Sequence, residues 1–252
     1  MILCAGPQSS GSTLLSWCFL QRADTTGVLD MENDVLRVTF DPAPVIWCKM
    51  TIGGFRWIDV ADLYRDFGLD PAPLLIVRDV RDVLASLVTK EYGFNGVTAE
   101  EPPLRMRLRR FLADWELFRS RGWPIIRFES LVDDPRKTLG LACDELGLGW
   151  DEGMVNWPKP HGAVIPPNRP GFNHTFLNTV TEPSMEAAVA VWRRRAPRPL
   201  ALPEEELDWL ERVFEEYNRM HDYPPRVDRG AVTPGALPRP RMRSARARGW
   251  PV

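Results

Sequence analysis

Short apolar runs alternate along the chain with stretches in which apolar residues return every three or four positions. The runs at 2–5, 27–30, 45–49, 74–77 and 125–128 are rich in β-branched residues and read as short buried strands. Helical periodicity follows near 12–22, 58–67, 80–91, 104–121 and 135–147. Strand and helix alternating at this spacing predict an α/β fold, a parallel sheet covered by helices on both faces. Within 104–121, Leu104, Leu108, Phe111, Trp115 and Phe118 form one apolar stripe, which assigns that face to the core. A last helix is expected at about 203–221: Pro203 and Glu204-Glu205-Glu206 suit its start, and Leu207, Leu210, Phe214 and Tyr217 line one side.

Two segments break the pattern. Residues 149–183 are rich in Pro, Gly and Asn and hold Lys159, His161, Arg169 and His174, the make-up of a lid or binding loop. Residues 226–252 are Arg, Pro, Gly and Ala with little apolar periodicity and read as a disordered basic tail. The division expected is therefore one α/β domain over 1–225, carrying the 149–183 loop, and a tail over 226–252.

Charge sharpens this division. The net charge of −2 is the sum of an acidic body, with 25 basic and 33 acidic groups in 1–225, and a tail with seven Arg and one Asp. An acidic body argues against binding duplex nucleic acid over a broad face. No apolar run reaches the ~18 residues a membrane span requires. Residues 1–5 enter a turn with no basic leader region, which predicts no signal peptide and a cytoplasmic protein. Cys4, Cys18, Cys48 and Cys143 are scattered through apolar stretches with no paired spacing, so buried reduced thiols are expected and no metal site.

The strongest chemical signal is Gly6-Pro7-Gln8-Ser9-Ser10-Gly11-Ser12-Thr13, placed after the first strand and before a helix. Glycines let such a loop turn its N–H groups inward, and the helix N-terminus behind it favours an anion. The two glycines match the spacing of GxxxxGK[ST], but Ser12 stands where a nucleoside triphosphatase has its Lys. That Lys holds the β- and γ-phosphates, so its absence argues against ATP chemistry. The second signal is Leu74-Leu75-Ile76-Val77-Arg78, a buried strand that delivers Arg78 to its carboxyl end, followed by Ser86 two turns along the next helix. Arg78 can fork onto a phosphate while Ser86 adds a hydroxyl.

Together these pieces resemble the sulfotransferases that use 3′-phosphoadenosine 5′-phosphosulfate. The family's first loop, P-[RK]-S-G-T-[TS], corresponds to Gln8-Ser9-Ser10-Gly11-Ser12-Thr13, and its strand-end Arg with a Ser eight positions on corresponds to Arg78 and Ser86. Ile125-Ile126-Arg127-Phe128-Glu129-Ser130-Leu131-Val132-Asp133-Asp134-Pro135 is similar to its strand plus Y-E-D-L-x-x-D-P segment. The resemblance covers roughly 1–150 and the final helix. It implies a P-loop-like fold in which Ser9, Ser10, Gly11, Ser12 and Thr13 hold the 5′-phosphosulfate, and Arg78 and Ser86 hold the 3′-phosphate. Arg169-Pro170-Gly171 is a poor match to the family's late R-K-G loop, which would place Arg169 on the same phosphate.

Two positions depart from the family. The loop's basic residue is Ser9, and the K-T-H strand of the cytosolic branch reads Lys49-Met50-Thr51. The resemblance thus implies that Lys49 carries the electrostatics and that the general base lies elsewhere. Glu32 ranks first, with Asp30, Asp34, His161 and His174 as rivals. The implied activity is sulfuryl transfer to a hydroxyl or amine of a small-molecule acceptor, without a metal. The alternatives are a P-loop small-molecule kinase and a noncatalytic nucleotide-binding protein of the same fold.

Overall fold

The computed structural model describes residues 1–31, 42–89, 103–164, 180–194 and 202–224. Five strands form one sheet: β1 (Ile2–Pro7), β2 (Thr25–Val28), β3 (Val45–Ile52), β4 (Ala72–Val77) and β5 (Ile125–Arg127). All pairings are parallel, and the order is β2-β3-β1-β4-β5. The strands lack polar alternation because helices cover both faces. In β1, Leu3 and Ala5 face one core with Trp57, Phe111 and Tyr217, while Ile2 and Cys4 face the other with Leu15, Phe19 and Met154. Successive side chains point to opposite faces, so one strand serves two cores.

The order of the strands locates the site. From β1 the chain passes through α1 (Ser12–Leu20) to β2 and β3 on one side. From β3 it returns through α2 (Trp57–Asp66) to β4 on the other side of β1, then through α3 (Val80–Thr89) and α4 (Pro103–Arg121) to β5. Connections diverge at β1 and β4, and a crevice at the carboxyl ends of such strands is where open parallel sheets bind ligands.

Several boundaries differ from the sequence expectation. The second strand begins at Thr25 and ends at Val28, two residues earlier than the apolar run suggests. Phe128 opens α5 (Phe128–Asp133) rather than closing β5. Asp134 then caps α6 (Pro135–Glu145), accepting from the Lys137 N–H at 3.1 Å with Pro135 at the first helical position. The expected final helix is two, α10 (Glu204–Val213) and α11 (Glu215–Met220), broken at Phe214, where φ is −106° and ψ 19°. Phe214 is fully buried against Phe111, Trp209 and Tyr217, and this packing holds the bend.

The described part of the 149–183 loop is not loose chain. It carries α7 (Gly153–Asn156) and α8 (His161–Val164) and is fastened to α1. Gln21 and Lys159 exchange two hydrogen bonds, and Lys159 Nζ donates to Leu20 O at 2.9 Å and Thr25 O at 2.8 Å. A further helix, α9 (Met185–Arg194), follows. Residues 165–179 and the basic tail lie outside the described residues. The four cysteines are buried and not bonded to one another; burial pushes the thiols of Cys18 and Cys48 up to about 12.

Candidate active site

The loop between β1 and α1 closes through Ser10 N–H donating to Pro7 O at 3.1 Å. Ser9 and Gly11 both take positive φ, 70° and 87°. At Gly11 only glycine fits: a Cβ there would stand 2.1 Å from Phe128 Cδ2. Gly11 is also the N-cap of α1 and offers no side-chain cap. The first N–H groups of α1 therefore face the loop without an intrahelical acceptor. Gly6 is needed for a different reason, since a Cβ there would meet Ser10 Oγ at 2.7 Å and Ile76 Cγ2 at 2.6 Å.

Arg78, Ser86 and the loop come together as the spacing predicts. Arg78 Nη1 donates to Ser9 O at 3.0 Å, and Ser86 Oγ donates to Ser9 Oγ at 3.1 Å. Arg78 Nη2 reaches Asp82 at 3.0 Å, and its guanidinium lies 4.7 Å from the Phe128 ring centroid. The last helices hold this corner from below: Tyr217 donates its hydroxyl hydrogen to Arg78 O at 2.7 Å. Glu129 accepts from the Asp79 N–H at 3.1 Å and the Tyr223 hydroxyl at 2.9 Å. Phe128 meets Trp192 edge to face, and beside them a cavity of about 360 Å³ is lined in part by Arg127, Ser130, Trp192 and Arg193. Ser10 Oγ and Arg78 Nε are buried polar atoms that lack a hydrogen-bond partner among the described residues.

Lys49 is not a surface residue of the strand end. Its side chain is 2% exposed, and Nζ forms an ion pair with Asp30 at 2.6 Å and donates to Thr51 Oγ1 at 3.1 Å. Asp30 is equally buried. Burial pushes its carboxyl above the usual range, against the pull of the Lys49 charge. Asp30 is therefore placed as the counter-ion of Lys49 rather than as an open base. Thr51, the residue two positions on in the same strand, helps fix the same ammonium. In register Lys49 pairs with Cys4 and Thr51 with Gly6, so the cation starts two residues below the loop.

His161 lies against Trp17, ring centroids 5.0 Å apart and tilted by 45°, and lines a second cavity with Trp157 and Lys159, so its ring is not gathered with Arg78 and Ser86. Glu32, Asp34, Arg169 and His174 lie outside the described residues.

The structure adds two residues that the periodicity of α4 hides. Arg107 Nη1 donates to Gln8 Oε1 at 3.0 Å, and Arg110 Nη1 donates to Gly53 O at 2.5 Å. A signal was present in the sequence: Arg105, Arg107, Arg109 and Arg110 crowd the first eight residues of α4, with no acid in its first turn. Positive charge there opposes the helix dipole, a local cost that asks for a reason.

No family model matches the chain, and no curated protein matches it in sequence. Solved structures do. The sulfotransferase domain from the curacin biosynthetic pathway aligns with a TM-score of 0.51 at 16% identity, over 86% of this chain and 97% of that one. The sulfotransferase domain from the Synechococcus PCC 7002 olefin synthase aligns with a TM-score of 0.50 at 15% identity, over 85% and 94%. With its five parallel strands, its glycine-cornered loop and helices on both faces, the chain has the fold of the sulfotransferase domains.

Proposed function

We propose that this protein is a sulfotransferase that moves a sulfuryl group from 3′-phosphoadenosine 5′-phosphosulfate to a hydroxyl or amine of a small-molecule acceptor. The observation that carries the proposal is the convergence of Ser9, Arg78 and Ser86 on a phosphate-type loop whose Lys position is Ser12. Such a loop can hold phosphate and sulfate oxygens, yet lacks the cation that a triphosphatase places on its β- and γ-phosphates. Ser10 to Thr13 and the α1 N-terminus would receive the 5′-phosphosulfate, and an anion there would give Ser10 Oγ a partner. Arg78 and Ser86 would turn from Ser9 to the 3′-phosphate. The cavity beside Phe128 and Trp192 has room and aromatic edges for the nucleoside.

In the reaction the acceptor oxygen or nitrogen attacks sulfur in line. The new bond to sulfur forms as the bond from sulfur to the 5′-phosphate oxygen breaks, and the electron pair leaves with the phosphate. The acceptor proton passes to a base, for which Glu32 is the first candidate. No covalent enzyme intermediate is required, so catalysis rests on positioning and charge. Lys49, held by Asp30 and Thr51, would place an oriented ammonium–carboxylate pair under the loop.

Thermal unfolding with 3′,5′-adenosine bisphosphate, compared with ATP plus Mg²⁺, tests this. Ligand at about 100 times its Kd adds ~2.7 kcal/mol. For a chain of this size that raises the midpoint by roughly 5–10 °C. The expected result is a rise with the bisphosphate alone, followed by turnover in an acceptor screen with the phosphosulfate donor. A rise only with ATP and Mg²⁺ would replace the proposal with a kinase. Bisphosphate binding without turnover on any acceptor would favour the noncatalytic protein.

A further inference from the structure

Ser9 stands where the resembling family carries Arg or Lys, and its side chain and carbonyl are engaged by Ser86 and Arg78 on the β4 side of the loop. The β3 side is served differently. Arg107 bonds Gln8, the residue before Ser9, and its guanidinium atoms lie 3.7–3.8 Å from where a Cβ on Gly53 would stand. It thus sits across the carboxyl ends of β1 and β3, and Arg110 pins the Gly53 carbonyl beside it.

The rotation of α4 is fixed by Asp114, which is fully buried and accepts from the Trp57 N–H at 2.7 Å and from Arg56 Nε at 2.9 Å. This rotation divides the four arginines between two faces. Arg105 pairs with Glu205 and Glu206, and both Arg105 and Arg109 lie over Trp209, on the α10 side. Arg107 and Arg110 turn to the strand ends. Burial and then the like charge of Arg110 hold the Arg107 guanidinium below its ordinary value. Two adjacent cations drawn partly out of water at a loop built for an anion are placed to receive one.

We infer that Arg107 supplies the positive charge that the loop lacks at Ser9, contacting the 5′-phosphosulfate from the β3 side while Arg78 and Ser86 hold the 3′-phosphate from the β4 side. Arg110 is a positioning residue, holding the Gly53 turn against Arg107. This assignment rests on the sulfotransferase proposal above.

Calorimetric binding of 3′,5′-adenosine bisphosphate and of adenosine 3′-monophosphate, with wild type and Arg107→Gln, tests it. The two ligands differ only in the 5′-phosphate. Loss of one charge-assisted contact is worth about tenfold or more in affinity. Arg107→Gln should lose that factor for the bisphosphate and keep its affinity for the monophosphate, and turnover with the phosphosulfate donor should fall at least as far. Arg107→Lys keeps the charge without the guanidinium fork. It should recover only part of the lost discrimination, and the residual loss, seen with the bisphosphate and not with the monophosphate, carries the test if the Gln variant fails to fold. Equal losses for both nucleotides would mean a structural role and overturn the assignment. Unchanged nucleotide affinity with a raised acceptor KM would also overturn it, giving Arg107 to the acceptor. Failure of the wild type to bind either nucleotide would remove the sulfotransferase proposal itself, and this assignment with it.

Discussion

Lys49 and Asp30 are each 2% exposed, so neither can lose its partner without leaving a buried charge. Breaking such a pair from one side costs about 3–5 kcal/mol, whereas replacing both members with apolar residues is often neutral. Lys49→Met should therefore lower stability by about 3–5 kcal/mol in urea unfolding. Adding Asp30→Leu should restore most of it. Turnover with the phosphosulfate donor should stay lost in the double variant, because the ammonium under the loop is gone. Wild-type turnover there would reduce the pair to scaffold. At this scale the sequence showed the residue types well. Ser9, Arg78 and Ser86 lie on contiguous motifs, and their meeting follows from adjacent parallel strands. The Lys49–Asp30 pairing could not be read in the same way. Asp30 follows β2 and stood among several acids, and only the β2–β3 register sets it against Lys49.

Among the elements, the 149–164 segment is fastened to α1: Lys159 plugs the end of that helix and Trp157 is buried beside Trp17. An ammonium near a helix C-terminus satisfies carbonyls that have no intrahelical donor. Burial holds the Lys159 amine below its ordinary value. Lys159→Met should cost about 1–3 kcal/mol by leaving the Leu20 and Thr25 carbonyls unmet. It should also speed limited proteolysis within 149–164 while leaving bisphosphate affinity unchanged. A loss of nucleotide affinity would instead join this segment to the site. The helix α4 teaches the complementary lesson. Its apolar stripe was plain from periodicity, and Leu108, Phe111, Trp115 and Phe118 are buried as expected. Which of its arginines meets the loop was not, because that depends on the rotation Asp114 imposes.

Across the whole molecule, the chain's last described residues return to brace the strand ends. Trp115 Nε1 donates to His221 Nε2 at 2.8 Å, which leaves the ring proton on Nδ1, and the imidazole packs among Tyr217 and Tyr223. Burial, then the charge of Arg127, pushes His221 down from 6.5 to about 4. As pH falls below 6.5 the unfolded chain takes up this proton before the folded one, so stability is lost on acidification through the window from 6.5 to about 4. The ring is only half buried, so the loss attributable to it between neutral pH and mild acid should be about 1–2 kcal/mol. His221→Gln, whose amide oxygen can still accept from Trp115, should flatten the dependence of the urea midpoint on pH in this window. An unchanged slope would show that other groups set it. Because Tyr217 and Tyr223 bond Arg78 O and Glu129, the same acid loosening should reach the corner at Arg78.

The amino-acid sequence by itself determined the parallel α/β class, the loop at 6–13 and the strand-end Arg78 with Ser86. Those features are local: they depend on periodicity, turn chemistry and the order of residues along one strand or helix. The tertiary structure alone decided the bend at Phe214, the burial of Lys49 with Asp30 and the approach of Arg107 to Gln8. Each of these joins parts of the chain far apart in sequence or depends on how one helix is turned against its neighbours. Packing and buried charge settle such contacts, and no short window of sequence contains both partners.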